Sequence, residues 1–198
     1  MMKNRYIVAG GVVLLALILI VLCVAVATPA AAYEGERITT ARQDALHEAA
    51  DMLRAAGLTD DDPAIMALSA EWWAEQEALD IVARVVQGEA GACPWLHQVA
   101  VAAVVVNRVH SPYFPDTVRE VVSAPNQYTT LYLTGFDKTT RQCYEAAKKA
   151  LDGESGVPED VIWQSEYPWL GSEIWWVSEV DTGWYHSTTY FAKGVWTE

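Results

Sequence analysis

Basic residues are scarce: 13 Lys and Arg stand against 26 Asp and Glu. Two of the basic residues, Lys3 and Arg5, lie in the first 32 residues, and none of the acidic ones does. The remaining 166 residues, Tyr33–Glu198, therefore carry a formal charge of −15. Such a surface excludes nucleic acid and anionic lipid as docking partners but leaves a mostly neutral polymer such as a glycan open. Cysteine is also rare. Cys23 lies in an apolar leader, and Cys93 and Cys143 are two residues that either pair in an oxidising compartment or pack separately. The four histidines (His47, His97, His110, His186) stand at no metal-ligand spacing with the cysteines or with one another, so no metal and no cofactor is expected. Phosphate loop, dinucleotide fingerprint, G-x-S-x-G elbow and H-E-x-x-H are all missing. A Cys/His amidase built on Cys93 with His97 or His186 is set behind other readings, because no elbow or oxyanion donor surrounds Cys93.

One long apolar run is present. Lys3 and Arg5 precede Tyr6–Ala27, and Thr28-Pro29-Ala30-Ala31-Ala32 follows. Residues 1–32 read as an export signal, cleaved after Ala32 or retained as a membrane anchor. Either way the rest is placed outside the cytoplasm.

Residues 33–77 read as a helical preface. Thr39-Thr40 caps a helix that runs to about Ala56, with Ala45, Ala49, Met52, Leu53 and Ala56 as its apolar stripe and Gly57 after it. Asp60-Asp61-Asp62-Pro63 starts the next helix; three aspartates without an EF-hand's spaced ligands, Gly and terminal Glu are caps rather than a calcium loop. Residues 78–198 read as one domain. Leu96–Val109 is apolar nearly all round and is expected to be a buried helix whose Gln98, Asn107 and Arg108 find partners inside. A short helix is expected from Asp116 or Thr117, a loop over 129–138, and a helix over Arg141–Leu151 capped by Thr140. Six of the nine tryptophans follow residue 160 (Trp163, Trp169, Trp175, Trp176, Trp184, Trp196) among short strand-like pieces at 161–163, 174–177 and 188–191. The fold class is mainly α (α+β), with a small β-rich, Trp-rich C-terminal part.

The residue that carries chemistry is Glu89. As a helix, Val82, Val85, Val86 and Glu89 fall at i, i+3, i+4 and i+7, which puts the carboxylate on the core-seeking face. Gly88 and Gly91 mark the helix end. A poorly solvated carboxylate there has a raised pKa and suits general-acid work on a glycosidic oxygen. The alternative is a helix-end glutamate paired with Arg84 or Arg108. Gln127-Tyr128 and His186–Phe191, with Tyr190, are candidate polar and aromatic cleft walls, because flat rings cover the apolar faces of sugars.

Gly88-Glu89-Ala90, Pro94, Gln98–Val109 with Asn107-Arg108, Ser111-Pro112, Phe114-Pro115, Thr117-Val118 and Gln127-Tyr128 resemble the bacterial cell wall hydrolase family typified by the spore cortex-lytic enzyme SleB. The resemblance implies a lysozyme-like, mainly helical fold and cleavage of peptidoglycan glycan strands between N-acetylmuramic acid and N-acetylglucosamine. It places the family's catalytic glutamate on Glu89 and its Gln-Phe pair on Gln127-Tyr128. The chain departs just after Glu89: the family often shows Ala-Arg-Gly-Glu-Pro, and here Ala90-Gly91-Ala92-Cys93-Pro94 lacks the second acid. With one credible carboxylate, a lytic transglycosylase is expected; a hydrolase normally needs two. Asp116, Asp137, Glu166, Glu173 and Asp181 are available for the second place. A wall-binding protein without activity is the rival from another class.

Overall fold

A computed structural model describes residues 39–129, 131–134, 139–168, 171–181, 183 and 186–194. The apolar run 6–27, the start of the preface, Asp137, Trp169, Trp184 and Trp196 lie outside the described residues. No helix among the described residues is long and apolar enough to cross a membrane. The chain divides into two compact units after Glu75.

The first unit holds α1, Ala41–Ala55, and the opening turns of α2, Pro63–Ala90. Thr40 caps α1 in a reciprocal box: its hydroxyl accepts from the Gln43 amide (3.1 Å) and the Gln43 side chain accepts from the Thr40 amide (2.9 Å). This box turns Gln43 inward, and the buried face becomes Gln43, Leu46, Ala49 and Ala50. The expected stripe is thus rotated, and Met52 is exposed. Gly57 follows with a φ of 96°, a left-handed geometry that favours glycine. Asp62 accepts from the Ala64 amide (2.9 Å) and opens α2 as a cap.

The second unit is built around α3, Trp95–His110, where every residue from His97 to Arg108 is buried. Valine is a mediocre helix former. Here burial decides, since each fully buried valine contributes roughly 1.5–3 kcal/mol. Against α3 pack α4 (Val118–Ser123, capped by Thr117), α6 (Arg141–Leu151, capped by Thr140) and β1. The α6 cap and apolar face are those the sequence predicts: Cys143, Ala146, Ala147 and Ala150 are buried.

The three strands are β1 (Val161–Ser165), β2 (Glu173–Asp181) and β3 (His186–Lys193), in the order β1-β3-β2, all antiparallel. β2 and β3 form a hairpin with Trp176 opposite Phe191 and Val177 opposite Tyr190. The inner face is aromatic. Trp176 stacks on Phe191 (centroids 5.3 Å) and His97 of α3 meets the Phe191 ring edge-on (5.3 Å). His97 Nδ1 and Ser178 Oγ lie 2.9 Å apart, both residues buried.

Burial pushes the His97 imidazole below its ordinary 6.5. The folded state therefore resists the proton that the unfolded chain accepts. This contribution is present above about pH 6.5 and is lost as pH falls below it. Thermal unfolding followed from pH 7 down to pH 5 is expected to give a Tm that falls less steeply for His97→Gln than for the wild type. Parallel slopes would show that His97 is not part of the acid sensitivity.

Candidate active site

The last turn of α2 is held from two sides. Its terminal carbonyls have no intrahelical partners. Gln98, at the start of α3, supplies them by donating from Nε2 to Ala90 O (3.1 Å) and Gly91 O (3.3 Å). Gln87 accepts on Oε1 from the Thr140 amide (2.9 Å) and from Cys143 Sγ (3.4 Å), tying the same turn to the start of α6. Cys143 is engaged there, and Cys93 and Cys143 are free thiols, so the pairing left open by the sequence is absent.

Glu89 stands on this fixed turn. Val82, Val85 and Val86 are fully buried as the periodicity predicts, and the next buried residue is Ala90. Glu89 is exposed, which corrects the expectation of a carboxylate buried at the end of the stripe. The reason is positional. At 100° per residue Ala90 takes the core-facing place in this turn and Glu89 falls at its edge. The helix ends at Ala90, between the two glycines expected to mark its end.

The loop expected over 129–138 contains a short helix, α5, Leu131–Thr134. Its Tyr132 is buried, and the hydroxyl donates to Glu89 Oε1 at 2.8 Å. Gly88 makes this approach possible. A Cβ there would collide with the edge of the Tyr132 ring, 2.6 Å from Cζ and 2.5 Å from the hydroxyl oxygen. Burial first, and then the hydrogen bond to Glu89, push the Tyr132 phenol well above the ordinary tyrosine range. Arg84 steadies α5 by donating to Leu133 O (3.3 Å) and is itself paired with Asp80. It is therefore not the partner of Glu89.

The other possible partner, Arg108, is committed elsewhere. Its buried guanidinium lies among the rings of Phe114, Tyr128 and Trp163, with centroids at 5.1, 5.3 and 5.3 Å. It donates to Ile162 O (2.8 Å) and to Gln127 Oε1 (2.9 Å). Asn107 alongside donates to Pro158 O (2.8 Å) and Val161 O (2.9 Å). So α3 fixes both β1 and the Gln127-Tyr128 pair. The Tyr128 ring faces Tyr132 edge-on, centroids 6.5 Å apart. Burial pushes the Tyr128 phenol up as well, opposed by the charge of Arg108 and reinforced by that of Glu89.

Gln127 and Tyr128 are thus joined to Glu89 through Arg108 and Tyr132. His186 and Tyr190 sit on the hairpin. His186 is exposed and 3.3 Å from Asp181. Tyr190, opposite Val177, lies on the sheet face away from Phe191 and His97. Among the candidate second acids, Glu173 pairs with Lys193 (3.4 Å), Asp181 with His186, and Asp116 and Glu166 are exposed. Among the described residues no group of three His, Cys, Asp or Glu is placed to hold a metal. Sequence reasoning missed Tyr132, whose only local signal is the apolar Leu131-Tyr132-Leu133 within a loop-like stretch.

Comparison with known proteins bears on the same region. The family model described as Cell Wall Hydrolase matches residues 94–191, a span that holds Gln127, Tyr128, His186 and Tyr190 and begins just after Glu89. A spore cortex-lytic enzyme of Halalkalibacterium halodurans is 41% identical over 81 residues, which are 38% of this chain and 23% of that protein. A spore cortex-lytic enzyme of Bacillus cereus is 41% identical over 87 residues, 41% of this chain and 30% of that protein. The chain thus spans only about a quarter to a third of the length of these relatives. The crystal structure of the catalytic domain of the Bacillus cereus SleB protein is 29% identical and covers 60% of this chain and 91% of that domain, with a TM-score of 0.43. Residues 94–191, just under half of the chain, match the model of the cell wall hydrolase family.

Proposed function

We propose that this chain cuts peptidoglycan glycan strands between N-acetylmuramic acid and N-acetylglucosamine on a lysozyme-like scaffold, as a lytic transglycosylase with Glu89 as its acid and base. The observation that carries the reading is the Glu89 carboxylate: exposed, hydrogen-bonded to Tyr132 at 2.8 Å, and standing on a turn pinned by Gln87 and Gln98. The relatives are spore cortex-lytic enzymes, which fits a wall glycan as substrate.

In this mechanism protonated Glu89 gives its proton to the glycosidic oxygen as the C1–O bond breaks. The departing N-acetylglucosamine keeps that oxygen as a hydroxyl. Glu89, now a carboxylate, takes the proton of the muramyl 6-hydroxyl as that oxygen closes on C1. A 1,6-anhydro sugar forms, no water is consumed, and Glu89 ends in the state in which it began. One carboxylate suffices, which suits a chain with Cys93 where the family often has its second acid. In this reading Gln127 and Tyr128, which Arg108 holds, bind the glycan, as do His186 and Tyr190 of the hairpin. The reaction takes place outside the cytoplasm, with residues 1–32 as signal or anchor.

The test is a mass spectrum of purified peptidoglycan digested by the protein. Anhydro-muropeptides are the expected products. Reducing-end muropeptides would make water the acceptor and assign a second carboxylate a role. Wall that sediments with the protein and stays uncut would make the chain a binding protein.

A further inference from the structure

The mechanism above gives Glu89 a task that its surroundings only partly explain. An exposed glutamate in a terminal helical turn has several open rotamers, and holding one of them costs entropy. Two observations on separate elements converge on that side chain. Tyr132 of α5 reaches Glu89 Oε1 at 2.8 Å. Gly88 of α2, beside Glu89, has no side chain where the Tyr132 ring lies, and any Cβ would collide with it. A glycine inside a helix is less favourable than alanine. Here that cost is repaid by a close ring-to-backbone contact on which the hydrogen bond depends.

We infer that Tyr132, seated on Gly88, is a positioning residue that fixes the Glu89 side chain and dictates which of its two oxygens delivers the proton. The inference rests on the proposed role of Glu89. With Oε1 accepting from the tyrosine, Oε2 is the oxygen that carries the acid proton toward the glycosidic bond. After transfer the same hydroxyl stabilises the carboxylate until it takes the proton of the 6-hydroxyl. The tyrosine stays a donor throughout, since its phenol is held in the neutral form by burial and by the neighbouring carboxylate. Among the described residues, Tyr128, with Arg108 against its ring, is the other titratable group that senses the charge of Glu89, and Arg84 of the same helix is held by Asp80. Tyr132 is the one with a hydrogen bond to Glu89.

The experiment uses the full chain and soluble glycan fragments. Tyr132→Phe keeps the ring and removes the hydroxyl. Its kcat is expected to fall roughly 10- to 100-fold, the worth of one hydrogen bond to a charged group, with KM and Tm close to wild type. Gly88→Ala displaces the ring and is expected to lose at least as much kcat while its helix gains in propensity. Glu89→Asp draws the carboxylate back by one methylene, out of reach of Tyr132. In that background Tyr132→Phe is expected to add less than a further twofold loss. A purely structural tyrosine would instead lower Tm and multiply its effect on that of Glu89→Asp. Wild-type kcat in Tyr132→Phe or Gly88→Ala, a rise in KM in place of the fall in kcat, or full multiplicativity with Glu89→Asp would each overturn the inference. If Glu89→Gln stays active, the reading of Glu89 falls first. If Glu89→Gln is inactive and Tyr132→Phe is not, only the positioning role falls.

Discussion

Glu89→Gln is expected to leave a folded protein that no longer cuts glycan strands. Glutamine keeps the length of the side chain and an oxygen to accept from Tyr132, but it has no proton to give to the glycosidic oxygen. Loss of a general acid costs on the order of 10²- to 10⁴-fold in rate. A mechanism that uses the same carboxylate twice should sit at the upper end of that range. Stability should hardly change. Glu89 is exposed, and its partner Tyr132 retains an acceptor, so the unfolding free energy should stay within about 0.5 kcal/mol of wild type. The measurement is release of muropeptides alongside thermal unfolding. An active Glu89→Gln would remove Glu89 from the chemistry. An inactive variant whose Tm had collapsed would leave loss of fold as the cause, and the retained Tm is what separates the two.

Arg108→Ala is expected to have the largest effect on stability. The guanidinium is buried, sits over three aromatic rings and bonds Ile162 O and Gln127 Oε1. A desolvated cation–π contact is worth up to about 2 kcal/mol, and a hydrogen bond from a charged donor roughly 1.5–3 kcal/mol. Part of this is offset by the cost of burying the charge, so a net loss of roughly 2–4 kcal/mol is expected. Because Arg108 also holds Gln127 and Tyr128, the variant should lose activity at temperatures where it is still folded. Arg108→Lys should recover only part of either loss, since an ammonium does not provide the planar fork. Equilibrium denaturation by urea gives the first quantity and muropeptide release the second. Wild-type stability in Arg108→Ala would show that the three rings and the Gln127-Tyr128 segment pack without the cation.

Much of the fold is legible along the chain because its signals are local. Thr40, Thr117 and Thr140 each cap the helix that follows them, since a hydroxyl satisfying a terminal amide needs only a few neighbouring residues. The all-round apolar character of 96–109 yields the buried α3, and the strand-like pieces at 161–163, 174–177 and 188–191 all fall within observed strands. That Asn107 and Arg108 would need partners inside is also clear from burial alone; that these are β1 and the Gln127-Tyr128 segment is not.

Glu89 shows where local reasoning ends. Periodicity puts it on the valine face, and the valines are indeed buried, but whether the final turn of a helix is covered depends on what packs beyond it. Gly88 shows the same limit. In sequence it marks, with Gly91, the helix end that α2 reaches at Ala90; that it also seats a ring 44 residues further along the chain shows only in the fold. The sequence by itself determined the helices other than α5, the threonine caps, the central apolar helix and the acidic composition, because those follow from hydrogen-bonding and burial needs within a few residues, and it offered Glu89 as a candidate. Only the tertiary structure decided that Glu89 faces solvent, that Tyr132 is its partner, and that Arg108 lies in an aromatic cage. Those contacts join residues far apart in the chain, where neither propensity nor periodicity acts.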